Sequence, residues 1–260
     1  MAILETSAKT GKSWISESLA LYKSAPNKWI LLASAYVAVF MMIPSLPGFQ
    51  LFSLITILIW PIFMVIAITM YRNADNNVTQ TLSEIIAMIK PKMRPLIALG
   101  GIFLLYGVLV SLLLNSDIDG LVGMTKSVDR MTDTQAEALF QMMLPLLLKL
   151  TLALIPMMMA TWFSPMLIAF NNYTVAKAIK SSIAGSLQYM LALGVAWLLL
   201  TLGIFALLAL VGLVIAIVGN FAPMLGQLLM PILLFGCLLL ATALMLAFQY
   251  VSYRDVFRAA

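Results

Sequence analysis

Few side chains in this sequence are equipped for chemistry, and their types and spacing say which chemistry is open to them. Lys149, in LPLLLKLTLALIPMMM, is the one ionisable residue set inside an apolar run long enough to cross a bilayer. A charge at that depth marks a functional site by default. Lys149 nevertheless lies about two turns from the end of its run, where a lysine stem lets the ammonium reach the headgroups. Met157, Met158 and Met159 follow it. Thioethers favour Cu(I), but three consecutive residues point in three directions on a helix and no Cys or His joins them, so flexible gap-filling is the better account. Asp117, Asp119, Asp129 and Asp133 offer oxygen to a divalent cation, but not at the spacing of an EF-hand loop, and a solvated loop suits them better. Asn76, Asn77, Asn171 and Asn172 fit helix C-capping, with the lining of a cytoplasmic vestibule as the other reading. Cys237 is the single cysteine and there is no histidine. With no Ser–His pair, HExxH, P-loop or paired intramembrane carboxylates, nothing supplies a general base. An enzyme, a cofactor, a metal site and a proton-coupled pump are all disfavoured.

The elements that carry these residues follow from composition. Apolar residues make up 63% of the 260 and charged residues 10%, against about 25% charged in a soluble domain. Apolar runs of roughly 20 residues recur, so the sequence predicts an all-α integral membrane protein forming a single transmembrane domain over residues 1–260. Six spans fall at about 28–44, 50–71, 96–115, 142–170, 189–218 and 227–251. The opening MAILETSAKTGKSWISESLALYK lacks the apolar core of a cleaved signal peptide. Lys9, Lys12, Lys23, Lys28, Arg72, Lys90, Lys92, Arg94, Lys177, Lys180, Arg254 and Arg258 all fall on one side of these spans. Lys126 and Arg130 fall on the other. The positive-inside rule then places both termini in the cytoplasm, and the net charge of +5 reads as topology and not as a nucleic-acid surface. Outside, SLPGF and GNFAPMLG are short connections, and 116–141 is the one sizeable loop, in which TDTQAEALFQMM reads as helical with Thr134 and Glu137 spaced as a capping box.

A short amphipathic segment precedes each pair of spans. Ile15, Leu19 and Tyr22 mark the first; Leu82, Ile85, Ile86 and Ile89 the second, with Thr81 and Glu84 spaced as a capping box; Val175, Ala178, Ile179 and Ile183 the third. Helical spacing of this kind puts an apolar face toward the membrane interface. The chain therefore reads as amphipathic helix, span, span, three times over, in units of about 10–77, 78–172 and 173–260. One pattern recurs within the second span of two units: Trp60, Met64, Ala67, Tyr71 and then Trp162, Met166, Ala169, Tyr173. Such a stripe is expected to serve helix packing, with Ala permitting close approach, and a substrate-lining surface is the sharper alternative. Ala209, Gly212, Ala216 and Gly219 form a small-residue seam for helix six or for another protomer.

The threefold pattern, SWISESLALYKSAPNKWILL and the closing AFQYVSYRDVF resemble a broad bacterial group of six-helix inner-membrane proteins. The group includes YciC-like proteins and the membrane domain attached to some glycerophosphodiester phosphodiesterases. The resemblance implies an inner-membrane protein concerned with envelope integrity, and it carries no catalytic residues to positions in this chain. The expectation is a non-enzymatic scaffold or lipid-organising element. Its partners would be membrane lipids and a second copy of itself, with no protein partner named and no nucleic acid. A passive channel or a lipid or small-solute transporter is the competing reading, prompted by Pro145, Pro156 and Pro165 in the fourth span.

Overall fold

A computed structural model describes residues 2–49, 51–126 and 133–257. Its elements are α1 (Ala2–Ser24), α2 (Pro26–Ser45), α3 (Phe52–Asp75), α4 (Leu82–Ile89), α5 (Met93–Lys126), α6 (Asp133–Asn171), α7 (Val175–Gln188), α8 (Met190–Phe221) and α9 (Pro223–Phe257). Among the described residues six helices are long and apolar enough to cross a bilayer, and they coincide with the six predicted runs. The chain is an all-α membrane protein.

Local chemistry sets the boundaries. The capping box predicted at α4 is present: the Glu84 N–H donates to Thr81 Oγ1, and the Thr81 N–H donates to Glu84 Oε2 at 2.7 Å. Asn77 and Asn172 take φ values of 54° and 56° just past α3 and α6, the left-handed C-cap for which Asn is suited. At the first, the Val78 N–H reaches back to the Asn73 carbonyl at 2.8 Å. Gly48 supplies the left-handed turn in SLPGF at φ 85°.

The expected outer loop at 116–141 is corrected. Helix α5 runs on to Lys126, so Asp117 and Asp119 sit on a helix, while the helix expected over TDTQAEALFQMM is present as the start of α6 at Asp133. The Asn115 amide donates to Asp119 Oδ2 at 2.9 Å, an i,i+4 pair that favours continued helix. Asp129 and Arg130, like Arg258, lie outside the described residues, as does the Thr134 side chain of the second predicted capping box.

The second span of each predicted unit, α3, α6 and α9, touches the other two. Around them α2 lies against α9 and α3, α5 lies against α3 and α6, and α8 lies against α9. Helix α8 meets α6 through Trp197 and Trp162, whose ring centroids are 5.5 Å apart. The short amphipathic helices lie outermost: α1 on α8 and α9, α4 on α3, α7 on α6 and α5. The buried core concentrates toward one end, where Ala67, Ile68 and Tyr71 meet Phe163 and Met166, and Ala247 and Val251 complete the layer. Toward the other end the outer halves of α6 and α8 expose Leu144, Leu148, Leu152, Leu210, Leu213 and Phe221.

Helix α1 departs from its expected pose. Ile15 and Tyr22 are only half buried and Leu19 is exposed, whereas Gly11, Trp14 and Ser18 are buried. It docks on protein along a face that apolar periodicity did not mark. At Gly11 a Cβ would lie 2.6 Å from the Ala192 carbonyl oxygen, so only glycine permits that approach.

Candidate functional site: a tryptophan-walled cavity beside a charged knot

Reckoned from the ends of their helices, the two copies of the Trp–Met–Ala–Tyr pattern differ in depth. Trp60 lies 17 residues before the left-handed Asn77, and Trp162 lies 10 before Asn172. Seven residues of helix is a difference of about 10 Å. The pattern's last member also departs, because α6 ends at Asn171 and Tyr173 falls beyond it. Equal offsets in sequence therefore do not place Trp60 and Trp162 at equivalent heights.

Their packing differs accordingly. Met64, Ala67 and Tyr71 are buried. The Tyr71 ring stacks on Trp29 of α2 with centroids 3.9 Å apart, and its hydroxyl donates to the Ala243 carbonyl of α9 at 2.8 Å. That one tyrosine clamps three spans. In the second copy Trp162 and Met166 are buried and Ala169 is partly so, while Tyr173 lies 3.9 Å from the Lys177 ammonium.

Trp60 and Trp162 do converge on one feature. A cavity of about 400 Å³ lies between α2, α3, α6, α8 and α9, walled by Trp60, Trp162, Trp197, Tyr36 and Met158, with Gln249 at its inner end. Its lining residues lie about 10–24 Å along their helices from the helix ends nearest Arg254. A second hollow of about 300 Å³ shares Trp60 and Thr161 with it. A third, about 250 Å³, shares Met158, Trp162 and Trp197 and reaches Ser186 and Met190 at the α7–α8 junction. Met158 of α6 and Thr201 of α8 both line the main cavity and are exposed, so the cavity opens sideways between α6 and α8.

The backbone of α6 is remodelled beside it. The Ser182 hydroxyl of α7 donates to the Met159 carbonyl at 2.6 Å and accepts from the Phe163 N–H at 3.0 Å. Those two groups would bond each other in an uninterrupted helix, so Ser182 is inserted into the ladder, a recognised cause of kinks. Gln249 donates to the Trp162 carbonyl at 2.7 Å, and the Trp162 indole N–H donates to Ser252 Oγ at 3.2 Å. Trp162 is held by its main chain and its ring together.

At the basic end, Arg254 of α9 pairs with Glu17 of α1, with Asp75 of α3 at 2.9 Å and with Asp255 at 3.0 Å. The Tyr250 hydroxyl donates to Asp75 Oδ2 at 2.7 Å, and the Trp14 indole N–H donates to Asp255 Oδ2 at 2.8 Å. Sequence reasoning missed this knot, because its members lie up to 241 residues apart. The nearest available signal was the placement of acids among the basic residues of that side.

The remaining candidates are distributed. Lys149 is exposed and pairs with Asp117 of α5 at 2.8 Å, so that aspartate bonds a lysine and is not part of a loop. Met157 lines the second hollow, Met158 the main cavity and Met159 the third hollow. The Asn171 side chain accepts from the Tyr253 hydroxyl at 2.6 Å, and Asn172 accepts from Lys92. Cys237 is buried. In the α8 seam Ala209, Gly212 and Ala216 are exposed, while Gly219 closes on α9, where a Cβ at Gly226 would lie 2.8 Å from the Gly219 Cα. Comparison of the chain with protein-family models, with curated proteins and with solved structures finds no match.

Proposed function

We propose that this chain is a non-enzymatic inner-membrane protein of the bacterial envelope that organises lipid around itself. The observation that carries the reading is where its empty space lies. The hollows are walled by apolar and aromatic side chains and open sideways, while the bundle is filled at its basic end by Ala67, Tyr71, Phe163, Met166, Ala247 and Val251. A conduit needs a path from end to end lined by polar groups. A flank that opens into the bilayer is suited to holding lipid.

The same reading takes the contact pattern as three repeats. Each first span lies against its own second span and meets that of the preceding unit, and each amphipathic helix packs on the preceding unit, with α1 closing onto the last. It places the Arg254 end in the cytoplasm with both termini, because the basic residues collect there. The open seam at Ala209, Gly212 and Ala216 is the face offered to a second copy. The test is reconstitution in liposomes. We expect no flux of ions or small metabolites and no scrambling of lipid, together with lipid retained through purification. Flux or scrambling above that of empty liposomes overturns the reading in favour of a transporter.

A further inference from the structure

The main cavity carries hydrogen-bond donors that the protein does not use. Around it the Thr161 hydroxyl donates to Met158, the Thr242 hydroxyl to Leu238, and Gln249 and Trp162 to the partners already given. Among the described residues, no acceptor meets the Tyr36 hydroxyl, the Trp60 and Trp197 indole N–H groups or the Thr201 hydroxyl. None of the four is sealed in the packing, since no buried side-chain nitrogen or oxygen among those residues lacks a partner. They lie on three helices around one hollow. Their helices put them about 10–22 Å from the basic end, within the hydrocarbon, where water is not at hand to satisfy a donor.

The ligand that answers this wall is neutral, because no charged side chain lines the cavity. It carries carbonyl acceptors, because the unused groups are donors. It is flat in part, because the walls are indole and phenol faces, which favour stacked or edge-on rings. A phospholipid does not answer it: the phosphate stays at the headgroup level, so its ester carbonyls cannot reach Trp60. We propose that the Trp60–Trp162–Trp197 cavity binds an isoprenoid quinone from the bilayer. The ring lies among the tryptophans, its carbonyls accept from the unused donors nearest them, and its tail leaves through the gap between α6 and α8. This rests on the lipid-organising reading and names the lipid.

The test starts from protein purified in mild detergent, extracted with solvent and analysed for quinone by absorbance and mass. The protein is also placed in phosphatidylethanolamine–phosphatidylglycerol nanodiscs and titrated with a short-chain benzoquinone, with tryptophan fluorescence as the readout. Expected are close to one quinone per chain and saturable quenching. The double variant Trp60→Phe/Trp197→Phe keeps the ring faces and removes both N–H donors. It should weaken binding about tenfold, the size of two lost hydrogen bonds, whereas lipid-facing Leu112→Ala should not. If the double variant does not fold, Tyr36→Phe/Thr201→Val removes the other two donors for the same comparison. Phospholipid alone in the extract, quenching that does not saturate, or unchanged affinity in the donor variant overturns the proposal. Any of these with tight liposomes leaves the lipid-organising reading standing; leaky liposomes remove that reading first.

Discussion

Replacing Arg254 with methionine keeps most of its bulk and removes its charge. Glu17, Asp75 and Asp255 would then crowd one half-buried place with no cation between them. Removing one partner of a fully buried pair costs about 3–5 kcal/mol. The Arg254 side chain is 25% exposed, so solvent screening reduces the expected loss to about 1–2 kcal/mol. Thermal unfolding in detergent should show it, with a smaller gap between variant and wild type at high salt. Ser182→Ala acts differently, because it strips both the Met159 carbonyl and the Phe163 N–H of their partner. Unless α6 straightens to re-form its own bond, the loss is about 1–3 kcal/mol. Straightening would show as altered fluorescence of Trp162, one residue away. Chemistry at this scale was only partly legible beforehand. Met64 and Tyr71 could be read as packing residues because period and residue type act locally. Arg254, Trp14 and Gln249 could not be matched to partners, because an ion pair across 237 residues leaves no trace in local spacing.

At several crossings in this bundle glycine is what lets two helix backbones approach. At Gly100 of α5 a Cβ would lie 2.5 Å from the Leu58 carbonyl oxygen of α3, and backbone cannot yield as a side-chain tip does. Gly100→Ala should therefore destabilise by about 1–3 kcal/mol. Gly107→Ala, in the same helix with open space around it, should be near neutral. An equal loss in both would mean that α3 and α5 do not cross there. The exposed part of the α8 seam gives the complementary case. If Gly212 faces a second copy, Gly212→Leu shifts native mass from dimer to monomer; wild-type monomer in mild detergent removes the oligomer. Elements were the most legible scale. Hydropathy fixed the spans because each must cross a slab of one thickness, and the Thr81–Glu84 cap was visible as spacing. The end of α5 was misplaced because Asp117, Asn115 and Asp119 read as loop by polarity, while pairing within and between helices keeps them helical.

For the whole molecule, the basic end is the one prediction of orientation. A reporter fused after Ala260 should work only on the cytoplasmic side, and activity only in the periplasm would invert the topology. The register of α3 against α6 was not foreseeable from the sequence. Trp60 and Trp162 repeat a word in the sequence about 10 Å out of step along their helices. That offset is what lets both tryptophans wall a single hollow instead of serving two.

The docking of α1 on α8 and α9 also sets a timetable. Trp14 and its partner Asp255 are 241 residues apart, and chains grow at about 5–20 residues per second. The first helix must therefore wait roughly 12–48 s, with Trp14 uncovered at the membrane surface, before its seat has been made. A ribosome that stops before the sixth span leaves α1 with only the α8 part of its seat. An exposed tryptophan face on α1 thus distinguishes an unfinished copy from a finished one. Proteolysis within α1 during synthesis should fall sharply only once residues through Asp255 have left the ribosome.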